Sequence, residues 1–486
     1  MLLLQLLIEV NVPCIISKVQ TMSEEGELPR RARWGRKVFD ELGLVSIHNS
    51  ALDVKLLCIQ RFVRLFAYGA STLVLALYLS ALGNSDRKIG LFMTLTLFGD
   101  ILISFFLTLF ADGLGRKMVL AVGALLMTAS GLAFGLSRSY WVLLAAAVLG
   151  VISPSGNEIG PFRAIEESML AHLTEPAVRS DIFAWYSLIG TAGAACGMMT
   201  SGWVVHSLQG SQWSEIQSFR VIFFLYAVIG LFKFFLACML SSKVEADKKK
   251  PQPVRDTETA PLLDNNIQES PKKQKKLGLF RLPDMSQESK IIIVNLCLLF
   301  AVDSFASGLA SLSWVTYFFR RKFNLEEGKL GSLFFTTTLI SSASMLVASS
   351  LAKRIGNVQT MVFTHLPSAM ALALIPVPSS LPLAMVFLVL RACTQSMDVA
   401  PRSAFVAAVL LPHERTAVMG LINVVKTSSQ SLGPLITGVL ASSNHFWVAF
   451  VLAGALKATY DLGMLAVFAG HKTREEAQVG EEGPRS

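Results

Sequence analysis

The chain has 486 residues, 52% hydrophobic and 16% charged, with a formal charge of +9. Soluble domains carry roughly 25% charged residues, and here apolar runs of about 20 residues recur along almost the whole length, which excludes an ordinary soluble enzyme and marks a polytopic helical membrane protein. The positive excess lies mostly in hydrophilic segments, where it sets orientation and meets anionic lipid; a nucleic-acid partner is not expected.

Residues 1–21 open with an apolar stretch broken by Gln5, Glu9 and Asn11. It lacks a basic leader and is too short and polar to span, so it reads as an interfacial helix or as an extension upstream of a true start at Met22. Arg30, Arg31, Arg33, Arg36 and Lys37 follow, and residues 1–57 read as a cytoplasmic tail. Twelve spans come next: 58–82, 89–111, 118–137, 140–168, 181–206, 219–241, 290–319, 329–352, 358–376, 381–410, 417–441 and 446–470.

An even count places both termini on one side, expected to be the cytoplasm. Arg116, Lys117, Arg179, Lys353, Arg354 and Arg415 then fall inside, and the loops near 210, 378 and 443, free of Lys and Arg, fall outside. Arg320, Arg321 and Lys322 break that rule. The lysine- and proline-rich segment 243–289 reads as a disordered basic linker between six-span halves at 58–242 and 290–470, with 471–486 as a second tail. Within it, Glu258 to Leu263 fits an acidic dileucine sorting signal.

The halves repeat one another in register. Arg64-Leu65-Phe66-Ala67-Tyr68-Gly69 parallels Asp303 to Gly308, and Arg87 to Gly90 parallels Gly328 to Gly331. Ala111 to Gly115 parallels Ala352 to Gly356, and Arg179 to Gly202 parallels Arg415 to Gly438. Such parallel repeats are the pattern of one class of secondary transporters.

Between the second and third spans stands Ala111-Asp112-Gly113-Leu114-Gly115-Arg116-Lys117, a tight charged turn. Its glycines allow positive φ, and its bases also suit orientation anchors. The stretch resembles the loop motif of the major facilitator superfamily, G-x-x-x-D-[RK]-x-G-R-[RK]. Asp112, Gly115, Arg116 and Lys117 match, while Thr108 replaces the first glycine and Gly113 a base. The resemblance implies an all-α fold of two pseudo-symmetric six-helix bundles around a central cavity, with these four residues as a gating loop.

The fifth span, Gly193-x-x-x-Gly197-Met198-x-x-Ser201-Gly202, resembles the drug:proton antiporter motif of that family, with Met198 in place of proline. The eleventh carries Gly433-Pro434-x-x-Thr437-Gly438. Close helix packing explains such stripes equally well.

Charges inside a membrane are costly and face a cavity or one another. They are Arg64, Asp100, Glu158, Arg163, Glu166, Glu167, Asp303, Arg391, Asp398, Arg402, Lys426, Lys457 and Asp461. Arg64 and Asp303 hold matching places in spans 1 and 7, and a salt bridge between them would gate the cavity, unless it is a permanent structural pair. Arg163/Glu167 and Asp398/Arg402 are i,i+4 pairs; with Glu166 they are candidate charge locks between helices. Glu158, one turn beyond Pro154, and Asp303 are candidate proton carriers, and Lys426 could bind an anion or pair with Asp303.

The six cysteines have no zinc spacing, and no nucleophile triad, metal cluster, nucleotide loop or cofactor motif occurs. The expectation is a monomeric, proton-coupled carrier that moves a small solute out of the cell or into a vacuole by alternating access. A facilitator or proton symporter is the alternative within transport; a non-transporting sensor or scaffold is the alternative outside it.

Overall fold

Hydrocarbon offers no partner to backbone N–H and C=O groups, so each crossing must satisfy its own. The computed structural model describes residues 44–150, 152–154, 161–175, 178–245, 287–410 and 415–468. Their regular structure is all helical, with no strand. The amino-terminal bundle holds α1 (Leu44–Asn49), α2 (Leu52–Ala81), α3 (Asp86–Leu114), α4 (Arg116–Leu136), α5 (Tyr140–Gly150), α6 (Pro161–Leu173), α7 (Arg179–Gly210) and α8 (Glu215–Met239). The carboxy-terminal bundle holds α9 (Gln287–Leu309), α10 (Leu312–Phe323), α11 (Glu327–Ile355), α12 (Asn357–Leu374), α13 (Leu381–Thr394), α14 (Val399–Val409), α15 (Arg415–Ser442) and α16 (Phe446–Phe468). Seven of the described helical stretches are long and apolar enough to cross a membrane. Large apolar side chains such as Phe98, Trp141, Val228, Phe235, Ile291 and Leu298 point outward, as a lipid-facing surface requires.

The first crossing begins at Leu52, earlier than expected, and buries Val54, Leu56 and Leu57. Three expected crossings are interrupted. In the fourth, α5 stops before Ile152-Ser153-Pro154, where proline has no N–H to donate. The seventh breaks at Ala310 and Ser311, and the tenth between Gln395 and Asp398. Protein groups cover the first break: Thr72 Oγ1 donates to the Ser153 carbonyl at 3.2 Å, and Ser313 N to the Pro154 carbonyl at 3.5 Å. Irregular backbone is tolerated at membrane depth only when shielded in this way.

The motif turn is a single residue. Gly113 lies within α3, while Gly115 alone takes a positive φ, 93°, ahead of α4; Gly356 repeats this at 88° ahead of α12. The carboxylate of Glu245 accepts from Arg116 N at 2.7 Å and Lys117 N at 3.1 Å, satisfying two orphan donors of the α4 N-terminus, and Lys117 Nζ donates to the Leu240 carbonyl at 2.6 Å. The loop is therefore fastened within its own bundle. The side chain of Asp112 lies outside the described residues. Glu245→Ala is expected to lose about 1 kcal/mol of stability as a lost helix cap, read as a lower melting temperature in detergent; an unchanged melt would refute the cap.

The bundles meet unevenly. Glycines allow close backbone approach at two symmetry-related crossings: Gly90 of α3 lies against Gly438 of α15, and Gly202 of α7 against Gly331 of α11. Ties across the bundles run from mid-depth to the end remote from Gly115 and Gly356: Ser313 Oγ to the Thr72 carbonyl (2.9 Å), Leu435 N to Thr94 Oγ1 (3.1 Å), Trp203 Nε1 to Ser332 Oγ (2.9 Å), and Arg321 to Asp86 (2.6 Å). Tyr317 donates to the same Asp86 at 2.8 Å.

Arg320, Arg321 and Lys322, which broke the orientation rule, are thus fastening groups. Arg320 pairs with Glu327 at 3.3 Å, and Lys322 donates to the Pro376 carbonyl. The apolar core follows suit. At this end one continuous cluster joins Tyr78, Phe134 and Phe223 to Trp314, Phe318 and Phe450 of the other bundle. Toward the end that carries Gly115 and Gly356 the core divides in two. One part, with Leu57, Leu170 and Leu236, belongs to the amino-terminal bundle; the other, with Leu296, Val362 and Met464, to the carboxy-terminal one.

Candidate functional site

Two buried charge clusters sit in the divided part. In the amino-terminal bundle, Glu166 of α6 is fully buried. Its Oε2 accepts from Arg64 at 2.6 Å and from the Tyr186 hydroxyl at 2.5 Å, and Lys233 of α8 lies 3.5 Å from its other oxygen. The Arg61 guanidinium stacks 4.6 Å above the Tyr186 ring, and Lys233 lies 4.9 Å over Phe162. One carboxylate is clamped by cations from α2 and α8, the arrangement a buried ion needs to survive desolvation.

The carboxy-terminal bundle repeats the device with the charges exchanged. Asp303 of α9 accepts from Lys457 of α16 at 2.6 Å and from Arg402 of α14 at 3.3 Å. Arg402 also pairs with Asp398 at 3.1 Å, and Lys457 donates to Ser307 Oγ at 2.8 Å. Behind them, buried His365 meets Asp461 at 2.9 Å. Spans 1, 4 and 6 supply Arg64, Glu166 and Lys233; spans 7, 10 and 12 supply Asp303, Arg402 and Lys457. The two lysines sit in matching Gly-x-x-Lys segments, Gly230 to Lys233 and Gly454 to Lys457.

The expected bridge between Arg64 and Asp303 is replaced: each is consumed by partners of its own bundle, which lie closer and already neutralise it. Lys426 makes no direct salt bridge to Asp303 either, and the acid acts on it only at a distance; its Nζ lies 5.6 Å over the Phe300 ring. Of the expected charge locks, Arg163/Glu167 is a partly exposed i,i+4 pair within α6 at 2.7 Å. Glu166 does link helices, and the Asp398/Arg402 pair does so through the Arg402 bond to Asp303, each within one bundle.

Glu158 lies outside the described residues, as do most of the linker and its dileucine segment. In the glycine stripes, Gly193 and Gly197 pack on α2 and Gly433 on α9, while Gly202 and Gly438 cross to the other bundle. The Pro434 carbonyl accepts from Trp314 Nε1 at 3.2 Å.

Arg61 and Lys233 were missed by the sequence reading, although the repeated Gly-x-x-Lys segment could have pointed to Lys233. Among the described residues, no group of histidine, cysteine and carboxylate side chains could hold a metal.

Comparison with known proteins agrees with this architecture. The family model for the Major Facilitator Superfamily matches residues 57–310 and 296–485. The chain is 37% identical over 439 residues to the uncharacterized membrane protein YJR124C of Saccharomyces cerevisiae, covering 90% of this chain and 98% of that one. A segment of 167 residues is 24% identical to the quinolone resistance protein NorA of Staphylococcus aureus, covering 34% of this chain and 39% of NorA. The crystal structure of the nucleoside transporter NupG superposes with a TM-score of 0.62 at 14% identity, covering 87% of this chain and 100% of that one. Matched by the family model along both halves, the chain belongs to the Major Facilitator Superfamily, as a multi-pass integral membrane transporter.

Proposed function

We propose that the protein is a proton-coupled secondary transporter that carries a small solute out of the cytoplasm, across the plasma membrane or into a vacuolar or endolysosomal compartment. The observation that carries this reading is the division of the core: continuous across both bundles at one end, split at the other. A molecule closed on one side and parted on the other is one state of an alternating-access cycle. With both termini and the Gly115 loop in the cytoplasm, this is the inward-facing state. The similarity to a quinolone resistance protein supports extrusion as the direction.

Coupling is assigned to Asp303, the carboxylate of the Lys457–Arg402–Asp398 cluster. A proton reaching it would weaken both ion pairs at once and free α9 against α14 and α16. The working unit is a single chain in the bilayer, with protons and a small molecule as its partners.

The test uses purified protein in liposomes with a pH dye inside and a panel of small cations, organic acids, amino acids and drugs outside. The wild type is expected to show substrate-dependent proton flux, and Asp303→Asn to lose at least about tenfold of it, the effect of removing a single proton carrier. Uptake without proton flux, unchanged in Asp303→Asn, would replace the coupled reading with a facilitator.

A further inference from the structure

The register that aligns Arg64 with Asp303 and Arg179 with Arg415 also aligns Arg61 with Phe300 and Gly190 with Lys426. Each bundle therefore holds a cation over a ring between its first and fifth helices, with the two roles exchanged. In the amino-terminal bundle the cation is closed in. Arg61 fills the space over Gly190, where a Cβ would come within 2.6 Å of its Nε, and the ring it covers, Tyr186, bonds the clamped carboxylate.

In the carboxy-terminal bundle the cation is not closed in. Lys426 is half-buried and, among the described residues, makes no ion pair or hydrogen bond. Its ring, Phe300, has no hydroxyl and is shared with a second cation, the Arg402 guanidinium 5.9 Å from the ring centre. Arg402 is also more exposed than its acids, with 19% of its side chain accessible against 7% for Asp303 and 3% for Asp398.

Lys426 lies on a polar stripe of α15 formed by Asn423, Lys426, Thr427 and Gln430, at helical spacing i, i+3, i+4 and i+7. Such a stripe is too costly to turn toward lipid. Lys426 feels Asp303 and Asp398 only at a distance, while they are bonded to Arg402 and Lys457. A membrane cation so placed is likewise costly, and its retention argues for a ligand that brings a charge into direct contact.

We propose that Lys426 and Arg402, above Phe300, receive the anionic group of the transported solute, which is a small organic carboxylate with an apolar body. The carboxylate would complete the ion pair that Lys426 lacks, and the apolar body would lie on the Phe300 face. Asp303 and Asp398 meanwhile remain neutralised by Arg402 and Lys457. This assignment deepens the transport reading and rests on it.

The experiment measures thermal stabilisation and tryptophan quenching of the purified full chain by benzoate, hexanoate and 1-naphthoate. Benzylamine, hexylamine and benzyl alcohol serve as charge-changed counterparts. The carboxylates are expected to bind and the amines and alcohol not to. Lys426→Gln is expected to weaken carboxylate binding at least about tenfold, the scale of one charge-assisted contact, while Lys426→Arg retains it. Stabilisation by the amines, no stabilisation by any carboxylate, or equal affinity in a folded Lys426→Gln would overturn the assignment. Proton flux in liposomes is read separately. Carboxylate binding without flux overturns the coupling alone; flux driven by cations and insensitive to Lys426→Gln overturns the substrate class alone.

Discussion

Glu166→Gln is expected to destabilise the amino-terminal bundle by about 3–5 kcal/mol, the range for breaking a buried ion pair from one side. The carboxylate has no exposure and holds Arg64 at 2.6 Å, Tyr186 at 2.5 Å and Lys233 at 3.5 Å. An amide keeps the volume but not the charge, so two cations remain buried without their counter-ion. Glu167→Gln, one residue on, is the internal control. Its Arg163 partner is 47% exposed, and such i,i+4 surface pairs contribute about 0.3–0.5 kcal/mol.

Unfolding of the purified protein in denaturant measures both variants. Adding Lys233→Met to Glu166→Gln removes one stranded charge and should recover part of the loss, the non-additivity expected of groups in one ion-pair network. Equal, small losses for Glu166→Gln and Glu167→Gln would show that the clamp does not form.

Gly90→Ala is expected to cut transport by about tenfold or more while leaving the protein folded. A Cβ at Gly90 would lie 2.5 Å from the Pro434 carbonyl oxygen and 3.0 Å from the Gly438 Cα. Both obstacles are backbone, so no side chain can swing aside. Overpacking of this kind costs about 1–3 kcal/mol. Here that cost falls only on the conformation in which the bundles touch at this end, and each 1.4 kcal/mol shifts a two-state population about tenfold.

The symmetry-related position behaves alike: a Cβ at Gly202 would lie 2.3 Å from the Glu327 carbonyl oxygen. The thiol of Ala441→Cys, at a buried position one turn beyond Gly438, should react faster with a membrane-impermeant maleimide in the Gly90→Ala background, since this end would spend more time open. Unchanged reactivity and transport would mean that the contact does not part during the cycle.

The helices were legible because hydrophobic runs and their polar punctuation are local: a crossing must be apolar over its own length whatever it packs against. The repeat was legible for the same reason, since Gly115 and Gly356 meet the same local demand, a positive φ between two helices. The interruption at Pro154 could be anticipated, because proline removes a helix donor wherever it stands. The breaks at Ala310 and between Gln395 and Asp398 carry no such mark. Arg320 to Lys322 looked misplaced because the orientation rule counts charges in loops. The partners that excuse them, Asp86, Glu327 and the Pro376 carbonyl, come from three different segments.

What the sequence determined by itself was the class of molecule: an all-α, internally repeated membrane protein with charges embedded in its crossings. Which charges meet was decided by the tertiary structure alone. Arg64 bonds a partner 102 residues away and Asp303 one 154 residues away, each inside its own bundle. The matching of spans 1 and 7 had suggested that these two residues would face one another. One residue of helix turns a side chain by about 100° and raises it about 1.5 Å. An ion pair between helices therefore depends on the azimuth and depth of both, which packing fixes and no single segment encodes.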